Sequence, residues 1–139
     1  MKKEEIIKKL SKIVGSEWVR TDDLIRYHFC TDVLTHFGQG AIYPSNQPLV
    51  IVFPGSTKDV QQVIKLAHQN KIALYAIGGG TVLLIGSIPG KANFGITFDF
   101  HRMQGVNIDE DRLVVRCQPG CTGLQVSQLI RDKNIGYRP

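Results

Sequence analysis

Six residues, Ile77-Gly78-Gly79-Gly80-Thr81-Val82, follow directly on the apolar stretch Ile72-Ala73-Leu74-Tyr75-Ala76. Three successive glycines let a chain turn sharply at the end of a strand, because positive φ meets no Cβ clash and bare amides can come close to a ligand. A row of such N–H dipoles suits a phosphate group, and the Thr81 hydroxyl adds one more donor. Gly-Gly pairs are also common loop punctuation, so the loop by itself leaves a plain turn and an anion cradle both open.

The familiar phosphate motifs fail on residues. A P-loop needs Gly-x4-Gly-Lys-Ser/Thr, and the pair Gly90-Lys91 has Ile85 in place of the first glycine and Ala92 in place of the magnesium hydroxyl. A Rossmann Gly-x-Gly-x-x-Gly pattern started at Gly78 and Gly80 meets Leu83 at its third glycine, and the loop follows the second strand of its unit instead of the first. Metal chemistry finds no support either. Cys117 and Cys121 are spaced x3, wider than a Cys-x-x-Cys site, and His28, His36, His68 and His101 show no ligand spacing. No catalytic base is assigned, since none of these histidines has a motif behind it. Cys30, Cys117 and Cys121 are an odd number, thinly spread, which fits reduced thiols better than a disulfide framework.

The elements that would position the loop follow from periodicity. Residues 2–14 read as an amphipathic helix, with Ile6, Ile7, Leu10, Ile13 and Val14 interleaved with Lys2, Lys3, Lys8, Lys9 and Lys12, acidic Glu4 and Glu5 in the first turn, and Gly15 at its end. Thr21-Asp22-Asp23 can cap a short second helix through Leu24, Ile25 and Arg26. From Cys30 to Pro48 the pattern is irregular and turn-rich around Gly38, Gly40 and Pro44. Leu49-Val50-Ile51-Val52-Phe53 then reads as a strand covered on both faces, ended by Pro54-Gly55-Ser56. Thr57 is expected to cap a helix carrying Val60, Val63, Ile64 and Ala67 on one side, followed by the strand over 72–76. That is a βαβ unit, so the two strands should be parallel with a right-handed crossover. Beyond the loop, 94–100 and 112–117 read as antiparallel strands with Asn107-Ile108-Asp109-Glu110-Asp111 as the turn between them. Thr122 can cap a last helix bearing Leu124, Val126, Leu129 and Ile130, closed by Asn134-Ile135-Gly136.

The expected fold class is therefore α+β: a small parallel βαβ subdomain followed by the start of an antiparallel sheet subdomain, with flanking helices. At 139 residues the chain suffices for one domain with a real core, and 42% hydrophobic with 21% charged residues is ordinary for a globular protein. The net charge of +5 is modest and dispersed, which argues against a nucleic-acid partner. No segment approaches the roughly 18 uninterrupted apolar residues of a membrane span. Met1-Lys2-Lys3-Glu4-Glu5 does not read as a secretory signal, and the expected location is the cytoplasm.

Taken in order, Pro54-Gly55-Ser56-Thr57 with a helix behind it, Gly78-Gly79-Gly80-Thr81 with Leu83-x-x-Gly86, Phe98-Asp99-Phe100-His101-Arg102-Met103, and Gln118-Pro119-Gly120-Cys121-Thr122 form a series. It resembles the FAD-binding domain of the vanillyl-alcohol oxidase and p-cresol methylhydroxylase superfamily. Within that superfamily it is most similar to the D subunit of glycolate oxidase and the FAD-linked D-lactate dehydrogenases. The similarity runs from about Asp32 to Pro139, which divides the chain into an N-terminal helical segment over 1–30 and an FAD-binding domain over 31–139.

The resemblance implies that the amides of Ile77, Gly78, Gly79, Gly80, Thr81 and Val82, with the Thr81 hydroxyl, hold the FAD pyrophosphate. It implies close passage of the cofactor past Gly86, and places Pro119 and Gly120 near the flavin or its ribityl chain, with Pro54 bordering the ring. Asp99 and Arg102 match a Leu-Asp-Leu-Ser-Arg-Met-Asn-like segment and are expected to form a fold-stabilising ion pair or turn contact. Two departures stand out. Where the family runs Arg-Gly-Gly-Gly-Thr-Ser, this chain has Ile77 and Val82 at the two ends, removing a cation and a hydroxyl. A charge-assisted hydrogen bond is worth about 1.5–3 kcal/mol, so the loss weakens binding by an order of magnitude unless other contacts compensate. Thr81 also stands where members with tethered flavin often have histidine, so FAD is expected to be held non-covalently.

In the family a second glycine- and alanine-rich segment and a C-terminal cap domain complete the site, and this chain ends at Arg138-Pro139, where the turn leading into them would begin. Two functions are expected on this basis. One is the FAD-binding portion of a flavin-dependent 2-hydroxy-acid oxidoreductase of glycolate or D-lactate type, in which hydride passes from the α-carbon of a small-molecule substrate to the flavin. The other is a non-catalytic accessory or remnant subunit that keeps the fold and acts with a partner chain. In either case apolar surface left uncovered would lead to self-association or to a partner chain completing the site.

Overall fold

The computed structural model of the chain describes residues 2–30, 47–81, 89 and 95–133. Its elements are α1 (Lys3–Val14), a 3-10 turn over Ser16–Trp18, β1 (Val19–Arg20), α2 (Asp23–His28), β2 (Val50–Val52), α3 (Thr57–Gln69), β3 (Ala73–Ile77), β4 (Gly95–Asp99), β5 (Val106–Asp109), β6 (Val114–Cys117) and α4 (Gly123–Asp132). The first four strands form one sheet in the order β1-β2-β4-β3, and β5 and β6 form a separate two-stranded ribbon.

Strands β2 and β3 both run parallel to β4, which lies between them. The βαβ reading is thus correct in direction, but its two strands are not neighbours. The larger correction concerns β4 itself, which is the central parallel strand and does not pair with the run at 112–117. All five of its residues are buried, including Thr97 and Asp99. Short polar side chains on a covered face produce the same pattern as a solvated one. The antiparallel partner of β6 is β5, with Val106 opposite Cys117 and Asp109 opposite Val114. Residues assigned to a polar turn therefore begin with a strand, and the reversal falls at 110–113. There the Arg112 amide donates to Asp109 Oδ1 at 3.0 Å and Leu113 takes φ +53°. A ribbon exposed on one side tolerates Asn107 and Asp109 in a strand, which composition alone conceals.

Capping chemistry fixes the helix starts. Ser56, and not Thr57, caps α3: its hydroxyl accepts from the Asp59 amide at 3.2 Å, while the Asp59 carboxylate accepts from the Gly55 amide at 2.9 Å. Thr122 caps α4 as expected, in a reciprocal box with Gln125, whose side-chain oxygen accepts from the Thr122 amide at 2.7 Å. β1 was not foreseen; two residues are too short for a periodic signal. The turn-rich segment around Gly38, Gly40 and Pro44, and the closure at Asn134-Ile135-Gly136, lie outside the described residues.

Helices α1 and α3 share one face of the sheet. Ile6, Leu10 and Val14 repeat every four residues along α1, and with Val63, Leu66 and Ala67 of α3 they pack on Val50, Val52, Ile96 and Phe98. Side chains alternate along a strand, so Ile51, Thr97 and Asp99 occupy the opposite face, and the Thr97 hydroxyl has no hydrogen-bond partner among the described residues. Arg26 of α2 donates from Nε to the Pro48 carbonyl at 2.7 Å, tying that helix to the chain entering β2.

The packing predicts that Leu10→Ala, at a site with no solvent exposure, destabilises the fold by about 2–5 kcal/mol in urea denaturation. Leu113→Ala, 81% exposed, should stay within about 0.5 kcal/mol of wild type. A second expectation concerns Cys30, whose thiol donates to the Arg26 carbonyl at 3.0 Å. Burial pushes its pKa above the ordinary 9.0, with the Arg26 charge pulling the other way. The folded state disfavours the thiolate, so this stabilisation is complete below about pH 9.0 and is lost as pH rises through the raised value. The stability difference between wild type and Cys30→Ala, measured at rising pH, should shrink above that point.

Candidate functional site

Because β2, β4 and β3 are parallel, the loops that leave them gather at one edge of the sheet: Phe53-Pro54-Gly55-Ser56 after β2, Phe100 to Met103 after β4, and Ile77 to Thr81 after β3. Carboxyl edges of parallel sheets are where such folds bind ligands. A fourth segment, Gln118 to Thr122, reaches the same edge from the β5–β6 ribbon. The Gln118 amide donates to Gly105 O at 2.8 Å, the Gly105 amide donates to Gln118 Oε1 at 2.8 Å, and the Gly120 amide donates to Met103 O at 2.9 Å. The sequence-identified segments around positions 54, 77–81, 99–102 and 118–122 therefore do converge. Val82 and Gly86 lie outside the described residues.

The glycines at this edge serve different physical needs. A Cβ on Gly78 would sit 2.7 Å from the Pro119 carbonyl oxygen, and one on Gly79 would sit 2.9 Å from both the Cys121 carbonyl oxygen and Thr122 Cγ2. These two residues let the loop after β3 lie backbone to backbone against the 119–122 segment. Gly80 differs: it takes φ +70° and a Cβ there meets nothing within 4 Å. It turns the chain into open space. Among the described residues, the amides of Gly78, Gly79, Gly80 and Thr81 donate to no protein acceptor, and Gly80 and Thr81 are exposed. A short row of undonated amides beside open space is a donor set for an anion.

Gly120 is buried and holds the assembly shut. A Cβ there would overlap the Phe100 carbonyl oxygen and come within 2.8 Å of Met103 O. Its amide is already spent on Met103, so its contribution to the site is the placement of Pro119, which is exposed.

Arg102 and Asp99 do not pair with each other. The Arg102 guanidinium lies 3.9 Å from the Trp18 ring centroid and donates from Nη1 to the Phe53 carbonyl at 2.8 Å, fastening the β2 end to the turn after β4. Asp99 instead turns to His101: its Oδ1 accepts from the His101 amide at 2.9 Å and contacts the imidazole Nδ1. The turn contact was readable from the motif; the partners were not. An Asp-x-His spacing at a strand end is an Asx-turn signal that would have pointed to the second pair.

A protein-family model described as FAD binding domain matches residues 48–139. The D-2-hydroxyglutarate dehydrogenase of Stutzerimonas stutzeri is 33% identical over 90 residues, covering 65% of this chain and 19% of that protein. The glycolate oxidase subunit GlcD of Bacillus subtilis is 24% identical over 94 residues, covering 68% of this chain and 20% of that protein. Among solved structures, substrate-bound p-cresol methylhydroxylase superposes with a TM-score of 0.79 at 19% identity, over 95% of this chain and 25% of that one, a likeness of fold. The chain thus spans about a quarter or less of the length of each of these proteins.

The glycine geometry makes a paired prediction for urea denaturation. Gly120→Ala, driven against two main-chain carbonyls, should cost at least about 3 kcal/mol. Gly80→Ala, which meets no atom and pays only for its left-handed backbone, should cost about 1–2 kcal/mol.

Proposed function

The chain belongs to the FAD binding domain family, with FAD as its cofactor, and we propose that it is the FAD-binding portion of a flavin-dependent 2-hydroxy-acid dehydrogenase or oxidase of the glycolate or D-lactate type. The substrate class is supported by the names of the relatives, D-2-hydroxyglutarate dehydrogenase and glycolate oxidase. Bound FAD supplies the hydride-accepting chemistry, and the chain supplies binding and orientation.

In this reading the amides of Ile77 to Val82 and the Thr81 hydroxyl take the FAD diphosphate, Gly86 lets the cofactor pass, and Pro119 with Gly120 borders the flavin or its ribityl chain. The observation that carries it is the row of amides at Gly78 to Thr81 that donate to no acceptor among the described residues, with open space in front of Gly80 among them. That donor set fits a diphosphate, whose charge main-chain dipoles can neutralise without a desolvated lysine. No catalytic residue is assigned within the chain.

The proposed FAD-binding unit covers 31–139, and the N-terminal helical segment over 1–30 packs on it through Ile6, Leu10 and Val14. Among the described residues no helix is long and apolar enough to cross a membrane. A partner chain or a second copy is supported by the large apolar side chains left in solvent, Leu113 and Val114 on the ribbon and Leu124 and Leu129 on α4. The accessory-subunit reading rests on Ile77, which leaves the loop without a cation at its first position.

Titration of the purified chain with FAD, followed by flavin fluorescence, tests the reading. Saturable binding should be weakened roughly 2- to 10-fold by Thr81→Ala, the share of one neutral hydrogen bond. Gly80→Ala, which fills the open space, should weaken it at least as much. Acid precipitation should leave all flavin in the supernatant, as non-covalent binding requires. Binding unaffected by either substitution would remove the loop from the site.

A further inference from the structure

The glycine loop offers a diphosphate only neutral donors, since Ile77-Gly78-Gly79-Gly80-Thr81 contains no cationic side chain. A doubly charged group bound through dipoles alone gains from one charge-assisted donor. Two cation-forming side chains stand in the turn after β4, at the same sheet edge. Arg102 is occupied by the Phe53 carbonyl and the Trp18 ring. His101 is not.

His101 is held in an unusual way for an exposed residue. Asp99 is only 3% exposed, and it fixes both the His101 amide and the ring through Nδ1, while the ring remains 56% exposed. The carboxylate on Nδ1 sets the opposite nitrogen, Nε2, outward, and in the imidazolium form both nitrogens donate. Asp99 is the register partner of Ile77, so their side chains lie on the same face of adjacent strands. The Phe100 amide donates to the Ile77 carbonyl at 3.0 Å, pinning the turn that carries His101 to the base of the glycine loop.

We propose that His101, oriented by Asp99, is a cofactor-binding residue that donates from Nε2 to the diphosphate of FAD, supplying the charged donor that the glycine loop lacks. Asp99 is the positioning residue. The inference rests on the reading of the glycine loop as the diphosphate site, and the test separates the two. A capping role for Asp99 alone explains the bond from the His101 amide but requires no imidazole; that bond survives in His101→Ala, which should therefore fold.

The experiment is titration of the 139-residue chain with FAD and with ADP, which carries a diphosphate without a flavin, using wild type, His101→Ala, His101→Gln, Asp99→Asn and Gly80→Ala, each checked by circular dichroism. His101→Ala should weaken FAD and ADP alike, by on the order of tenfold or more. His101→Gln, retaining a neutral donor, should recover part of that loss. Asp99→Asn, which keeps an acceptor for the amide but loses the charge holding the ring, should fall between wild type and His101→Ala for both ligands. Affinities for FAD within twofold of wild type in folded His101→Ala, alongside a clear loss in Gly80→Ala, would overturn this inference and leave the loop reading intact. A loss for FAD without one for ADP would overturn it as well, by moving His101 away from the diphosphate. If Gly80→Ala also binds like wild type, or wild type binds neither ligand, both readings fall.

Discussion

The close approach of Gly120 to the carbonyls of Phe100 and Met103 is the contact on which the candidate site depends. β4 ends in the turn that presents those carbonyls, and only a residue without a side chain can back onto them. Once Gly120 is seated, the 118–122 segment lies where Gly78 and Gly79 can stack their own backbone against it. The loop after β3 is then supported from behind, and Gly80 and Thr81 are exposed with amides that donate to no acceptor among the described residues. Three polypeptide segments meet main chain to main chain, a geometry that leaves donors in fixed positions at no side-chain entropic cost.

That edge is rigid because the sheet beneath it is anchored. Ile6, Leu10 and Val14 from α1, and Val63, Leu66 and Ala67 from α3, close over the central strands with almost no solvent exposure. A second fastening lies at the site itself, where Arg102 bridges Trp18 and the Phe53 carbonyl. Arg102 is exposed, and a cation–aromatic contact at such a site contributes about 0.5–1 kcal/mol. It links the turn after β4 to the N-terminal part of the chain. The first thirty residues therefore bear on the site through packing.

Much of the arrangement was readable in the residues. Continuous apolarity marked β2, helical periodicity marked α1 and α3, and the triple glycine marked the loop that the fold places at its carboxyl edge. What escaped reading has particular causes. β4 presents Gly95, Thr97 and Asp99 on a face that is covered, so its alternation imitated an antiparallel strand and concealed its central parallel place. β5 carries Asn107 and Asp109 in a ribbon with an exposed side, so it imitated a turn. The division of labour among the glycines was also invisible: one residue type answers both close approach and positive φ, and only the surrounding atoms distinguish Gly79 from Gly80. The Asp99–His101 pair was hidden because the motif sets Asp99 beside Arg102, whose own partners, Trp18 and the Phe53 carbonyl, lie at the carboxyl end of β2.

The central claim is that the amides from Gly78 to Thr81 receive the FAD diphosphate, and amide-resolved NMR of the isotopically labelled chain tests it most directly. On addition of FAD, the resonances of Gly78, Gly79, Gly80 and Thr81 should shift downfield together, with the largest changes at Gly80 and Thr81. If those four stay in place while saturable shifts appear on another segment, the glycine turn is structural and the cofactor is held elsewhere.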